Sequence, residues 1–259
     1  MSQGDGILTS DRALAALVNL IAVLADTKYF LGRRVSEWTT GAPTLEAAVT
    51  AAAVAQEELG HSRAIYPLLE ELPWPGRPLP LERERDRARR YCVSFLDAEF
   101  PTWSHVVAAC AMIDTGVNTM FEALGDASFE ALASRLRRAL EEERFHMGYA
   151  ESLARQIVTF DAGPAALQER VDELLPEMLC WFGPRGEPGV EVLAAEGFLK
   201  WANEDLRQRY LARVAPLLLD VGMRLPLRWN LGERRWEYDD LPWNQWNPLQ
   251  RRLERARAA

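Results

Sequence analysis

The chain has 259 residues, a net charge of −8 and only three cysteines, enough for one large domain or a domain with an extension. The acidic balance argues against a nucleic-acid partner. No apolar run approaches the ~20 residues of a membrane span, no basic-then-apolar leader opens the chain, and Cys92, Cys110 and Cys180, without paired spacing, suit packed, reduced thiols in a cytoplasm.

Abundant Ala, Leu, Glu and Arg favour helix throughout. Residues 10–39 carry apolar positions at helical spacing (Leu14, Leu17, Val18, Ile21, Leu24, Phe30, Leu31, Val35), with Ser10 and Asp11 suited to the start. Gly41 to Thr44 breaks the pattern, and Thr44 can cap a second helix running to about Leu72. The Ala-rich face of that helix allows close approach of a neighbour. Residues 73–80, with four prolines, read as a rigid crossing. The charged stretch at 81–91 reads as a short solvated helix. A third long helix is expected from Thr102 or Ser104 to Leu124, and a fourth from Ser128 to Thr159. A further helix spans 164–182, and one or two shorter ones span 190–222. Trp229, Trp236, Trp243 and Trp246 then crowd a tail that reads as irregular and wraps onto its own domain or a partner chain. The last turn, Arg251 to Arg257, reads as a solvated helix.

Two stretches echo each other. Glu57-Glu58-Leu59-Gly60-His61 lies on the second helix, and Glu141-Glu142-Glu143-Arg144-Phe145-His146 on the fourth. Each holds Glu-x-x-His, at Glu58/His61 and Glu143/His146, and residues three apart share one helix face. One copy is weak evidence, since a surface ion pair or a satisfied core histidine explains it. Two copies on separate helices, using two of only three histidines, match the inner shell of a dinuclear carboxylate-metal site in a four-helix bundle. Asp114, within the apolar run 111–117, is costly to bury unless paired or metal-bound.

In that architecture each Glu-x-x-His is preceded, one helix earlier, by a further acid. The step from Asp114 to Glu143, taken back from Glu58, lands near Lys28, one of only two lysines in the chain. Asp26 lies on the wrong face, and Glu37 is too far along the helix. Three carboxylates and an ammonium balance one divalent ion rather than two. Lys28 would therefore replace one metal, or bridge the acids with no metal at all; alternatively it turns to solvent and a water fills the gap. An apolar pocket is expected beside Met112, Phe121 and Phe145.

The two motifs, together with Ala42 to Leu45, Phe100 to Ser104, Ile113-Asp114, Trp181 to Pro184 and Asn203-Glu204-Asp205-Leu206-Arg207-Gln208-Arg209-Tyr210, resemble the catalytic subunit of the phenylacetyl-CoA ring-1,2-epoxidase family. That family comprises multicomponent di-iron monooxygenases of phenylacetate catabolism. The resemblance runs from residue 42 to about 226. Around Leu31 to Trp38 the first helix looks more like the structural, non-catalytic subunit of the same complex.

The resemblance implies an all-α, ferritin-like four-helix bundle at 1–160, additional helices at 161–226 and a Trp-rich extension at 227–259. It implies metal ligands Glu58, His61, Asp114, Glu143 and His146, with the first-helix ligand replaced by Lys28, which is assigned a catalytic role. The cofactor would be iron or manganese, one ion or two, or none. Expected partners are a homo-oligomeric copy or a related ferritin-like subunit, together with a separate flavin and iron–sulfur reductase and an aromatic acyl-thioester substrate. A non-catalytic or metal-free subunit is the alternative reading.

Overall fold

The computed structural model describes residues 10–72, 91–125 and 129–254. The Pro-rich crossing at 73–80, the charged stretch through residue 90, the start of the fourth helix at Ser128 and the last residues of the Arg-rich turn lie outside them.

The first helix, α1 (Asp11–Ser36), begins where the Ser10 hydroxyl accepts the Ala13 N–H at 3.2 Å, which satisfies one of the helix's open donors. The second, α2 (Leu45–Ile65), starts in the same way, with Thr44 accepting from Ala47 at 3.1 Å. A one-turn helix, α3 (Leu68–Glu71), follows Pro67. The two long helices pack along much of their length, and Gly32 is what lets them close at mid-height. A Cβ there would stand 3.0 Å from the Ala55 carbonyl, the Glu58 Cβ and the Leu59 Cγ.

The expected unbroken third helix is interrupted. It runs as α4 (Trp103–Ala108), then six residues of π-helix (Ala109–Asp114), then α5 (Thr115–Leu124). A π-turn inserts one residue into the ladder and is found most often at functional positions. Here it ends on Asp114. The fourth helix, α6 (Glu130–Ile157), packs against α2, α5 and the π-turn, which completes the bundle.

Around this core, α7 (Gly163–Trp181) lies on α4, α8 (Pro188–Ala195) on α1, and α9 (Asn203–Asp220) on α5. α1 is long and apolar enough to cross a membrane by length and composition, contrary to the expectation that no segment is. Its apolar window is 78% buried among the other helices, so its hydrophobicity serves the core.

The tail is more ordered than expected. Leu227–Asn230 (β1) pairs antiparallel with Arg235–Tyr238 (β2), setting Trp229 opposite Trp236, and Trp246–Asn247 (β3) pairs with Arg252–Leu253 (β4). It folds onto its own chain. Gln208 on α9 exchanges hydrogen bonds with the Trp236 backbone in both directions, at 2.8 and 2.9 Å. The solvated helix expected from Arg251 is absent over the described residues. Arg251 and Arg252 are buried: Arg251 donates to the Trp181 carbonyl and to Glu187, and Arg252 pairs with Asp97.

The specific-looking stretch Asn203 to Tyr210 belongs to this scaffold. Asn203 donates to the Phe182 carbonyl, and Arg207 donates to the carbonyls of Leu179 and Gly183. These are acceptors left open where α7 ends.

Candidate metal centre

Lys28 points inward and is wholly buried, so the solvent-facing alternative is excluded. Its Nζ lies 2.5 Å from Asp114 Oδ1, 2.5 Å from Glu143 Oε1, and 3.0 and 3.1 Å from the two oxygens of Glu58. Phe121 closes one side, its ring centroid 5.5 Å from the ammonium. All three acids are at most 4% exposed at the side chain. Asn118, one turn beyond Asp114, donates to Glu143 Oε2 at 2.9 Å.

The histidines complete the cluster unequally. His146 Nδ1 is 3.1 Å from Glu58, 3.2 Å from Glu143 and 3.6 Å from Asp114. His61 Nδ1 is 2.9 Å from Glu143 Oε1 but off the line of a hydrogen bond. Their Nε2 atoms face outward and cross between helices. His61 on α2 meets Glu142 of α6 at 2.8 Å, and His146 on α6 meets Glu57 of α2 at 2.6 Å.

The electrostatics follow from crowding without water. Burial alone would lower the Lys28 pKa, but Asp114, Glu143 and Glu58 outweigh it and hold the ammonium form well above its ordinary range. Burial, with Glu143 and Glu58 alongside, pushes Asp114 up to about 7 against the pull of Lys28. For Glu143 the burial penalty is overcome by Lys28 and by the imidazoles of His146 and His61 beside it, which keep it well below the usual carboxylate range. Burial likewise opposes protonation of His61 and His146, yet the surrounding carboxylates raise both. These are the three ordinary causes of a shifted pKa acting in one small volume.

The ligand atoms of Glu58, Asp114, Glu143 and His146 all lie within 4.8 Å of one another, close to the span of about 4.2 Å that two ligands take across one ion. Lys28 Nζ lies against every acid of that set, so any divalent ion there would share its carboxylates with an ammonium. With both imidazoles neutral, three buried anions and one fixed cation are balanced by a single divalent ion. These four donors could hold a metal ion.

Of the positions the sequence singles out, the structure gathers Lys28, Glu58, Asp114, Glu143 and His146, and puts His61 at the rim. Asp26 accepts instead from the Tyr91 backbone N–H, and Glu37 pairs with Arg34 at 2.5 Å. The expected apolar pocket does not form as described. Met112 and Phe121 are buried, but Phe145 is 80% exposed, because it falls on the outer face of α6 next to inward-facing His146. Two openings lie beside the site. One, of about 290 Å³, is lined by Asn118, Leu140, Glu143, Arg144 and Met147 among others. Another, of about 340 Å³, is lined by His61, Arg135, Arg138 and Glu142 among others.

Sequence reasoning gives no role to Glu57, Glu142 or Asn118. For the two glutamates a signal exists, since a second Glu directly precedes the Glu of each Glu-x-x-His.

A four-helix bundle with inward-facing acids and a Glu-x-x-His on each of two facing helices defines the ferritin-like carboxylate proteins. Residues 7–257 match the family described as phenylacetic acid catabolic protein, and the chain belongs to that family. One component of the 1,2-phenylacetyl-CoA epoxidase from Escherichia coli (strain K12) is 23% identical over 221 residues, which cover 82% of this chain and 70% of that protein. The resemblance read from the sequence is thereby borne out at the level of family and fold.

Proposed function

We propose that this chain is an oxidoreductase subunit of the phenylacetyl-CoA epoxidase type whose metal centre is reduced to one divalent ion beside a built-in ammonium. The observation that carries this reading is the seat of Lys28 against Glu58, Asp114 and Glu143, with four donors left close enough for one ion. Glu58, Asp114, Glu143 and His146 would hold the ion, with His61 at the edge. Iron, or manganese in its place, would supply redox chemistry toward dioxygen, for insertion of oxygen into an aromatic acyl thioester.

The chain's own residues have definable parts in this reading. Lys28 neutralises the acids and fixes where their oxygens point. Asn118 orients Glu143 from the side of the 290 Å³ opening. Phe121, Met112 and Ile113 exclude water from the inner face. Electrons would come from a separate flavin and iron–sulfur reductase, because the sequence holds no glycine-rich nucleotide motif. A second copy or a related ferritin-like subunit would complete the assembly. Three buried thiols, none in a disulfide, support a reducing cytoplasm.

Metal stoichiometry after anaerobic loading with Fe(II) or Mn(II) tests this. At most one tightly held ion is expected per chain, and two would refute the proposal. Lys28→Glu restores the fourth carboxylate and is expected to raise the number to two.

A second reading is favoured by the same lysine. Because its ammonium already touches all three acids, the bundle is held together without metal, as a structural or regulatory subunit requires. No bound ion after loading, and no oxygen uptake with reductant, would select it.

A further inference from the structure

The outer face of α2 has two unlike ends. Near its start Leu45 is 76% and Val49 63% exposed, with Glu46 exposed between them. Phe145, two turns beyond Arg138 on the same side of α6, borders this face and is also exposed. Near the end of α2 the face sinks into the opening of about 340 Å³, where Gly60, Ala64, Ile65 and Ala139 line the wall beside Arg135 and Arg138. Arg135 gives one nitrogen to Glu71 at 2.7 Å, but its Nη1 is buried with no hydrogen-bond acceptor among the described residues. The acid of this opening, Glu142, is engaged by His61, so the arginines call for a further anion. Gly60 adds an independent sign. A methyl group there would meet nothing within 4 Å among the described residues. Glycine weakens a helix interior, and nothing described in the chain itself requires one here.

Antiparallel pairing of two α2 helices about the point between Val54 and Ala55 joins the unlike ends. It sets Val49 over Gly60, Leu45 over Ala64, and Glu46 beside the arginines, twice over. A two-fold axis across α2 keeps the α6 side of one copy against the α6 side of the other. The opening lies on that side, between α2 and α6. Glu46 does too, being three turns before Glu57, which reaches α6 at His146.

We propose that this face is a two-fold interface with a second copy of the chain, the Leu45–Glu46 end of each α2 seated in the arginine-bordered opening of the other. The proposal rests on the reading that a second copy completes the assembly, and it names the surface that does so. It holds with or without a metal.

The test uses the full chain without added metal. Sedimentation is expected to show a dimer, and Glu46→Arg is expected to weaken it about tenfold or more by setting like charges together. Combining Glu46→Arg with Arg138→Glu is expected to regain most of that loss, because both copies then carry the reversed pair. A second measurement fixes the register. Val49→Cys mixed with Gly60→Cys is expected to give a disulfide-linked dimer on mild oxidation, the three native thiols being buried. Either variant alone is not expected to crosslink, since its two copies lie about 16 Å apart along the paired helices, beyond the reach of a disulfide. The cysteine pair decides should Glu46→Arg fail to fold.

A wild-type chain still monomeric at about 10 µM, weaker than interfaces of standard size, would remove both the second copy and this inference. A dimer indifferent to Glu46→Arg, with no crosslink between the two cysteine variants, would overturn the inference alone and leave a second copy on another face. Crosslinking of Gly60→Cys to a related ferritin-like subunit in preference to a second copy would overturn it as well.

Discussion

Two buried cations organise this molecule, and they work in opposite ways. Lys28 sits among side-chain carboxylates at mid-bundle, and Arg207 sits among backbone carbonyls where α7 ends. Lysine offers a compact charge on a flexible stem, suited to a focus of anions arriving from several directions. Arginine offers a planar fork of donors, suited to carbonyls at fixed positions, and a flat face for rings. Accordingly Arg207 lies 5.6 Å from the ring centre of Tyr238 and 5.5 Å from that of Trp243. The acids around Lys28 repel one another and need a cation. The carbonyls around Arg207 need only donors. Burial alone therefore does not mark a functional charge; the nature of its partners does.

The comparison is most exposed to Lys28→Met. Removing the ammonium leaves three buried acids uncompensated, so a loss of about 3–5 kcal/mol is expected in urea unfolding at neutral pH. A loss below about 1 kcal/mol would mean that the acids are not held by this amine. The next largest effect is expected from Arg207→Lys. A lysine cannot reach both carbonyls and Glu204 together, so roughly 1–3 kcal/mol should be lost. That loss should be read in tryptophan fluorescence and proteolysis of the tail, with metal stoichiometry unchanged. A changed stoichiometry would show that the two regions are not independent.

The smallest effect sharpens the contrast by pH. Burial opposes ionisation of Glu204, but Gln208, Tyr238 and Arg207 outweigh it and lower its pKa. Its contribution is thus present above the ordinary carboxylate range and lost as pH falls through its lower folded value. Asp114 has the opposite sign. Its pKa is pushed up to about 7, so its contribution is fully present below the ordinary value near ~4 and lost as pH rises through about 7. Tail fluorescence should therefore loosen on the acid side of pH 4.5, the reference value for Glu204. The Asp114 part should appear as a difference between the wild type and Asp114→Asn that grows from about pH 4 to about 7 and levels off above.

Much of the bundle is legible in the sequence because helical periodicity and caps are local properties. Ser10, Thr44 and the apolar positions of α1 need no tertiary knowledge. The inner acids are legible because a repeated Glu-x-x-His is rare by chance and Asp114 is conspicuous in an apolar run. What stays hidden depends on contacts between distant segments. The crossed pairing of Glu57 and Glu142 requires two helices to face each other. The π-turn before Asp114 leaves no mark in composition. Phe145 reads as inward because it is apolar, but its place beside His146 turns it outward. Arg251 and Arg252 read as solvated because charge runs usually are, yet Trp181, Glu187 and Asp97 recruit them inward.

Gly32 lies one turn beyond Lys28 on the same face of α1, where its missing methyl group sets the gap to α2. That gap fixes how deep the amine can reach, because the lysine stem has a fixed length and its acids are anchored on other helices. A single carbon at residue 32 would wedge the opening helix outward by a few tenths of an ångström and draw the ammonium away from Glu58 first. The tuning of the centre thus resides partly in a residue with no side chain, which changes in the ligands alone could never expose.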